Sequence, residues 1–359
     1  MTKTAVCIKV STKQGQTAIS LIKKLGLFDT SLEIQRDQTC LCTPLCRQPL
    51  EDELEKLQKE VPNLQLCQAR FVEKQIVQET LLEVLENTIP PSLLASLPQA
   101  LDVIGDIAIL EIPTELEPYK KAIGEAILKT HRNVKTVLAK AGAINGIYRT
   151  REYNHIAGEN RTKTIHKEFS CQYHVDLAKA YFSPRLSHEH ERVASLVKSG
   201  ETVVDLFAGV GPFSVLIGKR NSQVKVYAVD LNPDAVELLK VNVRVNRVEN
   251  RVFPILGDAR EIAYGKLRGV ADGVIMNLPE TAIDFVDAAC LTLKSEGGTV
   301  HFYAFVRSPK TVEELKNEFS KAAEASGRKV SDFLVARSIR ETAPYESQIV
   351  LDAKIARQQ

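Results

Sequence analysis

The chain has 359 residues, 44% hydrophobic and 26% charged, a globular composition long enough for two or three domains of about 100–200 residues each. No apolar run reaches the roughly 18 residues of a membrane span and no apolar signal core opens the sequence, so a membrane protein is excluded and a cytoplasmic one expected. A formal charge of +2 permits a nucleic-acid partner without demanding one, and seven cysteines in no regular framework fit a reducing compartment.

In chain order, residues 1–69 combine short apolar runs (5–10 and 18–27) with a polar stretch up to Arg47 and read as a small α+β unit. Cys40, Cys42 and Cys46 cluster there, but no second Cys pair or His stands at zinc-finger spacing, so free thiols and no metal are expected. Residues 70–82 read as a connector. From 83 to 176 a second α+β region is predicted. After an Asp-Val-Ile-Gly turn at 102–105 comes an apolar strand through Leu110. A helix follows over 119–130, with Ala122, Ile123, Ala126 and Ile127 on one face, and then short strands at 136–139, 148–155, 162–167 and 172–176.

From 177 onward strand and helix alternate. Strands are predicted at 202–207, 224–230, 252–256, 273–276 and 299–305. One helix opens at Pro212 and another at Asn232-Pro233-Asp234, where Pro in the first turn forfeits no helical hydrogen bond. Late segments at 333–339 and 348–355 read as an antiparallel hairpin. The expected fold is therefore a doubly wound, mostly parallel α/β sheet closed by a terminal hairpin and preceded by two smaller α+β domains.

The strongest motif is Val203-Val204-Asp205-Leu206-Phe207-Ala208-Gly209-Val210-Gly211-Pro212-Phe213: a buried strand with an acid, a two-glycine turn and a helix start. Glycines let backbone approach a ligand at the carboxyl end of the sheet, and an acid suits an amino-acid ammonium such as that of S-adenosylmethionine. Asp230 ends the second strand about 20 residues beyond the glycine turn, where an acid grips ribose hydroxyls. Asp258, in Gly257-Asp258-Ala259, ends the third and is placed for an adenine amino group. A lone acid at a strand end is more often a helix N-cap, but three at successive strand ends point to a cofactor. A nicotinamide dinucleotide fits less well, because Ser214 stands where its fingerprint needs a third Gly or Ala.

After the fourth strand comes Asn277-Leu278-Pro279-Glu280. Amino-methylating enzymes keep Asn-Pro-Pro-aromatic at this place; here Leu278 and Glu280 replace the first Pro and the aromatic, leaving an Asn to address a base edge. Further signatures are Asp102-Val103-Ile104-Gly105-Asp106, Tyr148-Arg149-Thr150-Arg151-Glu152, Gly158-Glu159-Asn160-Arg161, Thr164-Ile165-His166-Lys167-Glu168 and Tyr181-Phe182-Ser183-Pro184-Arg185-Leu186. Taken together over residues 100–359, the sequence resembles the archaeal and eukaryotic class I tRNA (guanine-37 N1)-methyltransferase family, whose catalytic domain is Rossmann-like. That family's small N-terminal domain implies contact of residues 1–69 with the outer corner of tRNA.

The resemblance implies methyl transfer from S-adenosylmethionine to N1 of guanine-37, on a tRNA carrying guanine there, by a monomer. That nitrogen carries a proton at neutral pH, and its removal builds negative charge on O6, so a base and a fixed cation are needed. The matching positions are Glu189 as base, Arg149 as the O6 stabiliser, Asn277 to orient the guanine and Tyr181 to shape the pocket. The implied cofactor residues are His190, Asp205, Phe207, Gly209, Gly211, Pro212, Asp230, Leu231, Asp258, Ala259, Asn277, Leu278 and Pro279. Basic residues interleaved with Tyr148, Tyr153, Phe169 and Tyr173 suit a splayed RNA loop. Arg149, Arg151, Arg161, Lys163, Lys167 and Arg185 are the expected RNA contacts, with either Arg149 or Arg151 as the catalytic arginine. The rivals are a wyosine-pathway enzyme that moves an aminocarboxypropyl group or methylates C7 at the same tRNA position, and a non-catalytic tRNA-binding protein.

Overall fold

The computed structural model describes residues 2–37, 39–73, 79–142 and 146–357, and the chain divides into two compact units, Met1–Gln78 and Glu79–Gln359. In the first, β1 (Thr2–Ser11), α1 (Gly15–Lys24), β2 (Gln35–Arg36), β3 (Cys40–Pro44), α2 (Glu51–Glu60) and β4 (Gln65–Val72) build an antiparallel sheet of order β2-β3-β1-β4. Alternation along β1 sends Ile8 and Val10 to one face, where Ala18 and Ile22 of α1 and Leu57 of α2 close a small core. Cys7 lies on the other face with Leu32 and Phe71. The unit runs past the expected end at 69: Val72 still pairs with Thr2, so the first residues of the expected connector are strand. Residues 74–78 of that connector lie outside the described residues.

The second unit opens with α3 (Leu81–Leu85) and α4 (Pro91–Leu94), then β5 (Asp102–Ile104), β6 (Ile107–Leu110), α5 (Lys120–Thr130), β7 (Thr136–Lys140) and β8 (Tyr153–Gly158). These strands form one mixed sheet of order β5-β6-β7-β8, and α5 packs on it through Ile123, Ala126 and Ile127. Two expectations change here. Asp102 to Ile104 is itself a strand, with the turn at Gly105–Asp106, because the segment pairs back onto β6. The strand expected at 148–155 starts only at Tyr153, since Arg149 adopts a left-handed φ of 54° that no strand can carry.

A hairpin of β9 (Lys163–Glu168) and β10 (Cys171–Asp176) follows, turning through Phe169 and Ser170, both at positive φ as a tight two-residue hairpin turn requires. Then come α6 (Ser187–Leu196), β11 (Thr202–Asp205), α7 (Pro212–Arg220), β12 (Lys225–Asp230), α8 (Pro233–Val245), β13 (Val252–Leu256), α9 (Ala259–Tyr264), β14 (Gly273–Met276), α10 (Val286–Thr292), β15 (Gly298–Arg307), α11 (Val312–Ala325), β16 (Arg328–Ala343) and β17 (Glu346–Arg357). They make the predicted sheet, of order β13-β12-β11-β14-β15-β17-β16: five parallel strands, with β17 and β16 antiparallel at one end. Strand order reverses beside β11, and α/β sheets bind ligands at such a switch point.

The hairpin belongs with this sheet, although the sequence reading set the domain boundary after it. Tyr173 and Val175 share one core with Phe213, Leu239 and Tyr303. Asn242 of α8 and Asn246, the residue that caps the helix one turn later, reach the β10 backbone: the N–H groups of His174 and Gln172 donate to their side-chain oxygens at 2.6 and 2.9 Å, and their amide nitrogens donate back to the same residues' carbonyls at 3.2 and 2.7 Å. Two strand residues span roughly 6.8 Å and four helix residues roughly 6 Å, so an i, i+4 pair on a helix meets an i, i+2 pair on a strand. Ile104 and Ile109 of the preceding sheet enter this same core. A second core, on the other sheet face, gathers Val204, Met276, Phe302 and Phe319.

Candidate active site

A cavity of about 510 Å³ opens at the carboxyl ends of β11, β12 and β14. Gly209, Val210 and Pro212 of the glycine turn line it, whereas Gly211 does not reach the lining. Gly211, at φ 89°, is the N-cap of α7, and Pro212 takes the first helical position. A Cβ on Gly211 would lie 2.2 Å from Leu239 Cδ1, whereas one on Gly209 would meet only the Tyr181 carbonyl, at 3.8 Å; any side chain there would fill space the turn leaves open. Phe207, Pro212, Leu231, Ala259, Leu278 and Pro279 add apolar wall, and Phe207 meets Phe285 edge-on at 5.1 Å.

The three strand-end acids separate in the structure. Asp230 lines the cavity, where the backbone N–H groups of Gly209 and Asn232 donate to it at 2.6 and 2.9 Å; burial raises its pKa and these donors oppose the rise. Asp258 also lines it, but one oxygen caps α9, accepting from Arg260 N at 2.8 Å, so the N-cap reading holds for this acid alongside any ligand role. Asp205 does not reach the wall. It is fully buried, accepts from the Ser214 hydroxyl at 2.7 Å, and its second oxygen has no partner. Burial is the largest influence on it and the Asp230 charge adds to it; together they outweigh the Ser214 hydrogen bond and the dipole of the Phe207 N–H and push its pKa up to about 7.

On the opposite wall, Asn277 presents a buried side-chain oxygen with no hydrogen-bond partner. Arg149 arrives from the loop ahead of β8, with its guanidinium 5.5 Å from the centre of the Tyr181 ring. Glu280 Oε2 lies 2.7 Å from Arg149 Nη1 but off the N–H axis, so the contact is an ion pair without a formed hydrogen bond. His190 faces the cavity from α6; its Nδ1 is 2.7 Å from Glu168 and its ring meets Phe213 edge-on at 4.6 Å. Burial pushes Glu168 up, but His166 and His190 prevail and hold its pKa near 2.

Glu189, next to His190, is not in the lining. Its carboxylate is buried beneath the site, accepting from Tyr303 Oη at 3.0 Å and Arg192 Nε at 2.9 Å, and paired also with Arg337. Arg192 in turn bridges to Asp352, whose partner is His301.

The expected RNA contacts also divide. Arg149 and Arg151 do not share a strand face, because the left-handed turn at Arg149 separates them. Arg149 enters the main cavity, and Arg151 lines a smaller adjoining one of about 220 Å³ where its buried Nε has no partner. Arg185 lines that second cavity and grips Asp102 through Nε and Nη2 at 2.5 and 2.9 Å. Arg161 is committed to protein, with Asp106 at 3.0 and 2.7 Å and Glu159 at 2.6 Å, while Lys163 and Lys167 are exposed along a separate open groove.

Sequence reasoning missed Phe305, Gln348 and Arg340, which line the main cavity from β15, β17 and β16. Their strands were legible, but only the antiparallel register of the terminal hairpin brings them to the site.

The unpaired Asn277 oxygen, the open turn at Gly209 and the apolar wall that includes the Phe207–Phe285 pair fit an amphipathic nucleoside carrying charged groups. Comparison with known proteins points the same way. Residues 164–331 match the TRM5/TYW2 methyltransferase domain, and residues 81–162 the TYW2 N-terminal domain. The chain is 37% identical over 358 residues to the tRNA (guanine(37)-N(1))-methyltransferase Trm5b of Pyrococcus abyssi, covering 98% of this chain and 99% of that protein. It is 35% identical over 255 residues to the tRNA 4-demethylwyosine(37)-methyltransferase Taw21 of Saccharolobus solfataricus, covering 71% of this chain and 93% of that protein. Among solved structures, the complex of aTrm5 with tRNALeu superimposes with a TM-score of 0.69 at 33% identity, covering 97% of this chain and 99% of that one.

Proposed function

Because the chain belongs to the TRM5/TYW2 methyltransferase family, we propose that it transfers the methyl group of S-adenosylmethionine to N1 of guanine-37 in tRNA. The observation that carries this reading is a single cavity lined by both the glycine turn with Asp230 and the Arg149–Tyr181–Asn277 wall. One side is built for a nucleoside cofactor, the other for a base. Full-length similarity to Trm5b, N-terminal unit included, favours this reading over the shorter Taw21 match.

S-adenosylmethionine, when bound, supplies an electrophilic methyl group. Gly209 and Pro212 give backbone close access to it while Gly211 shapes the turn between them, Asp230 and the backbone at Leu231 take the ribose, and Asp258 with Ala259 faces the adenine. Phe207, Leu278 and Pro279 bound the adenosine, and His190, oriented by Glu168, stands toward the amino-acid end. Asp205 acts from below: it fixes Ser214 and the turn and does not touch ligand.

On the substrate side, Asn277 offers an acceptor and a donor to the guanine edge. Arg149, already in the main cavity, is the arginine that meets the charge developing on O6, and fixed cations at such positions contribute strongly to rate. Tyr181 holds the guanidinium in place. Glu189 is the base for the N1 proton, but only once Arg337, with its side chain 46% exposed, releases it toward the cavity. Arg151, Arg185, Lys163 and Lys167 contact the RNA strand, residues 2–73 contact the tRNA body, and the enzyme acts as a cytoplasmic monomer.

The test is methyl incorporation from labelled S-adenosylmethionine into a transcript with guanine at position 37, beside one with adenine there. Label on the guanine transcript alone, mapped to N1, supports the reading; equal labelling of both, or none, sinks it. The 35% identity to the tRNA 4-demethylwyosine(37)-methyltransferase Taw21 favours one second reading: C7 methylation of a wyosine precursor, which tRNA bearing 4-demethylwyosine would reveal.

A further inference from the structure

Asn277-Leu278-Pro279 ends in Glu280, where an aromatic ring would let a base stack, so the motif lacks its platform. The structure supplies a ring from elsewhere. The Phe305 N–H donates to the Pro279 carbonyl at 2.9 Å, which fixes Phe305 of β15 against the end of the motif. Phe305 lines both the main and the adjoining cavity. Among the described residues no other ring and no cation covers it, whereas Phe207 is paired with Phe285 and Tyr181 lies against Arg149.

Phe305 also heads a row. It stands opposite Gln348 of β17, which stands opposite Arg340 of β16; paired residues of neighbouring strands share a face, so all three present to the same side. Gln348 is 1% exposed, and its side-chain oxygen accepts from Arg340 Nε at 2.9 Å. Of the cations lining the two cavities, Arg149, Arg185 and Lys140 each have a carboxylate partner, at 2.7, 2.5 and 3.6 Å. Arg151 and Arg340 have none within 4.0 Å among the described residues, and of these two only Arg340 reaches both cavities, so its charge is open to an anion that enters beside the base.

We infer that this cross-strand row seats the target nucleotide: the Phe305 ring carries the extruded base, and Arg340, held by Gln348, takes a phosphate beside it. The inference rests on the RNA-methylating function proposed above and gives the missing motif aromatic a substitute from the next strand. It also gives the terminal hairpin a part in positioning substrate.

The experiment compares Phe305→Leu, Phe305→Tyr and Arg340→Gln with wild type, using full-length enzyme and the guanine-37 transcript. Base–aromatic stacking predicts that Phe305→Leu lowers kcat/KM by about 5- to 150-fold, while S-adenosylmethionine affinity by calorimetry is unchanged and Phe305→Tyr stays close to wild type. Arg340→Gln should reduce the salt dependence of tRNA affinity by about 0.7 in log–log slope, the share of one phosphate on a single strand. The inference is overturned if Phe305→Leu stays within twofold of wild type, if cofactor affinity falls in proportion, or if the Arg340→Gln slope is unchanged. A wild-type enzyme that leaves the transcript unmethylated would overturn the functional reading and this inference with it; an active wild type with an equally active Phe305→Leu variant overturns the inference alone.

Discussion

The Glu189 carboxylate accepts a hydrogen bond from the Tyr303 hydroxyl at 3.0 Å, outside the cavity lining to which its neighbour His190 belongs. A carboxylate whose oxygens are engaged by a phenol and two arginines cannot reach a substrate until a clamp opens, and the half-exposed Arg337 is the one free to move. Glu189→Gln is therefore expected to slow single-turnover methyl transfer by about 100-fold or more, the usual worth of a general base. Arg337→Gln should speed it by about two- to fivefold, the worth of a partly exposed ion pair. A Glu189→Gln enzyme that methylates at the wild-type rate would reduce the residue to a buried structural acid.

Asp205 makes the ligand-free protein sensitive to pH. Its folded pKa, about 7, lies above its ordinary value of 3.8, chiefly through burial. The folded state thus binds this proton more tightly than the unfolded chain, and the associated stability, full below pH 3.8, is lost as pH rises through about 7. Between pH 6 and 8 the loss is on the order of 1 kcal/mol, or about 3 °C in melting temperature. Calorimetric melts should show that fall in wild type and a flatter profile in Asp205→Asn; parallel profiles would refute the assignment.

Glu280 competes with RNA for Arg149. Its side chain is 51% exposed and its pairing lacks a formed hydrogen bond, so the contact adds little stability. Glu280→Gln should leave the melting temperature within about 1 °C and tighten tRNA binding by about two- to fivefold at low salt, the gain shrinking as salt is added. Weaker binding in a filter assay would mean that Glu280 itself contacts the substrate.

Gly211→Ala tests the turn. The added methyl would sit 2.2 Å from Leu239 Cδ1 at a φ of 89° that alanine resists. A loss of about 1–3 kcal/mol in stability is expected from backbone strain alone, together with weakened S-adenosylmethionine binding in calorimetry. Gly209→Ala, strained too at φ 55° but free of any clash, should cost less stability than Gly211→Ala and more in ligand binding, because its methyl would enter open space at the cavity. Equal effects at both positions would argue against the turn as a cofactor floor.

The alternating strands and helices from β11 onward were legible because each parallel strand is a short apolar run ended by a turn residue; 252–256 and 273–276 match the structure end for end. Asn232 caps α8 as its position before Pro233 implies. Less was legible where three-dimensional pairing decides. An acid at a strand end reads alike whether it lines the cavity, as Asp230 does, caps a helix, as Asp258 does, or points into the core, as Asp205 does. Glu189 resembled an exposed helix carboxylate in sequence because its partners Tyr303 and Arg337 lie more than a hundred residues away. Phe305, Gln348 and Arg340 carry no motif at all; only register across β15, β17 and β16 aligns them.

The two amides that join α8 to β10 have a consequence for how the protein keeps to itself. A two-stranded ribbon has bare edges, and a bare edge is a template on which a second molecule can add a strand. Asn242 and Asn246 fill that template on β10 with side chains that mimic a neighbouring backbone, donor for acceptor. Deamidation of either would place a carboxylate against a carbonyl, unseal the edge and turn slow chemical ageing into a route to aggregation. The protection of this edge in concentrated solution thus falls to two neutral side chains that belong to none of the motifs defining the protein's chemistry.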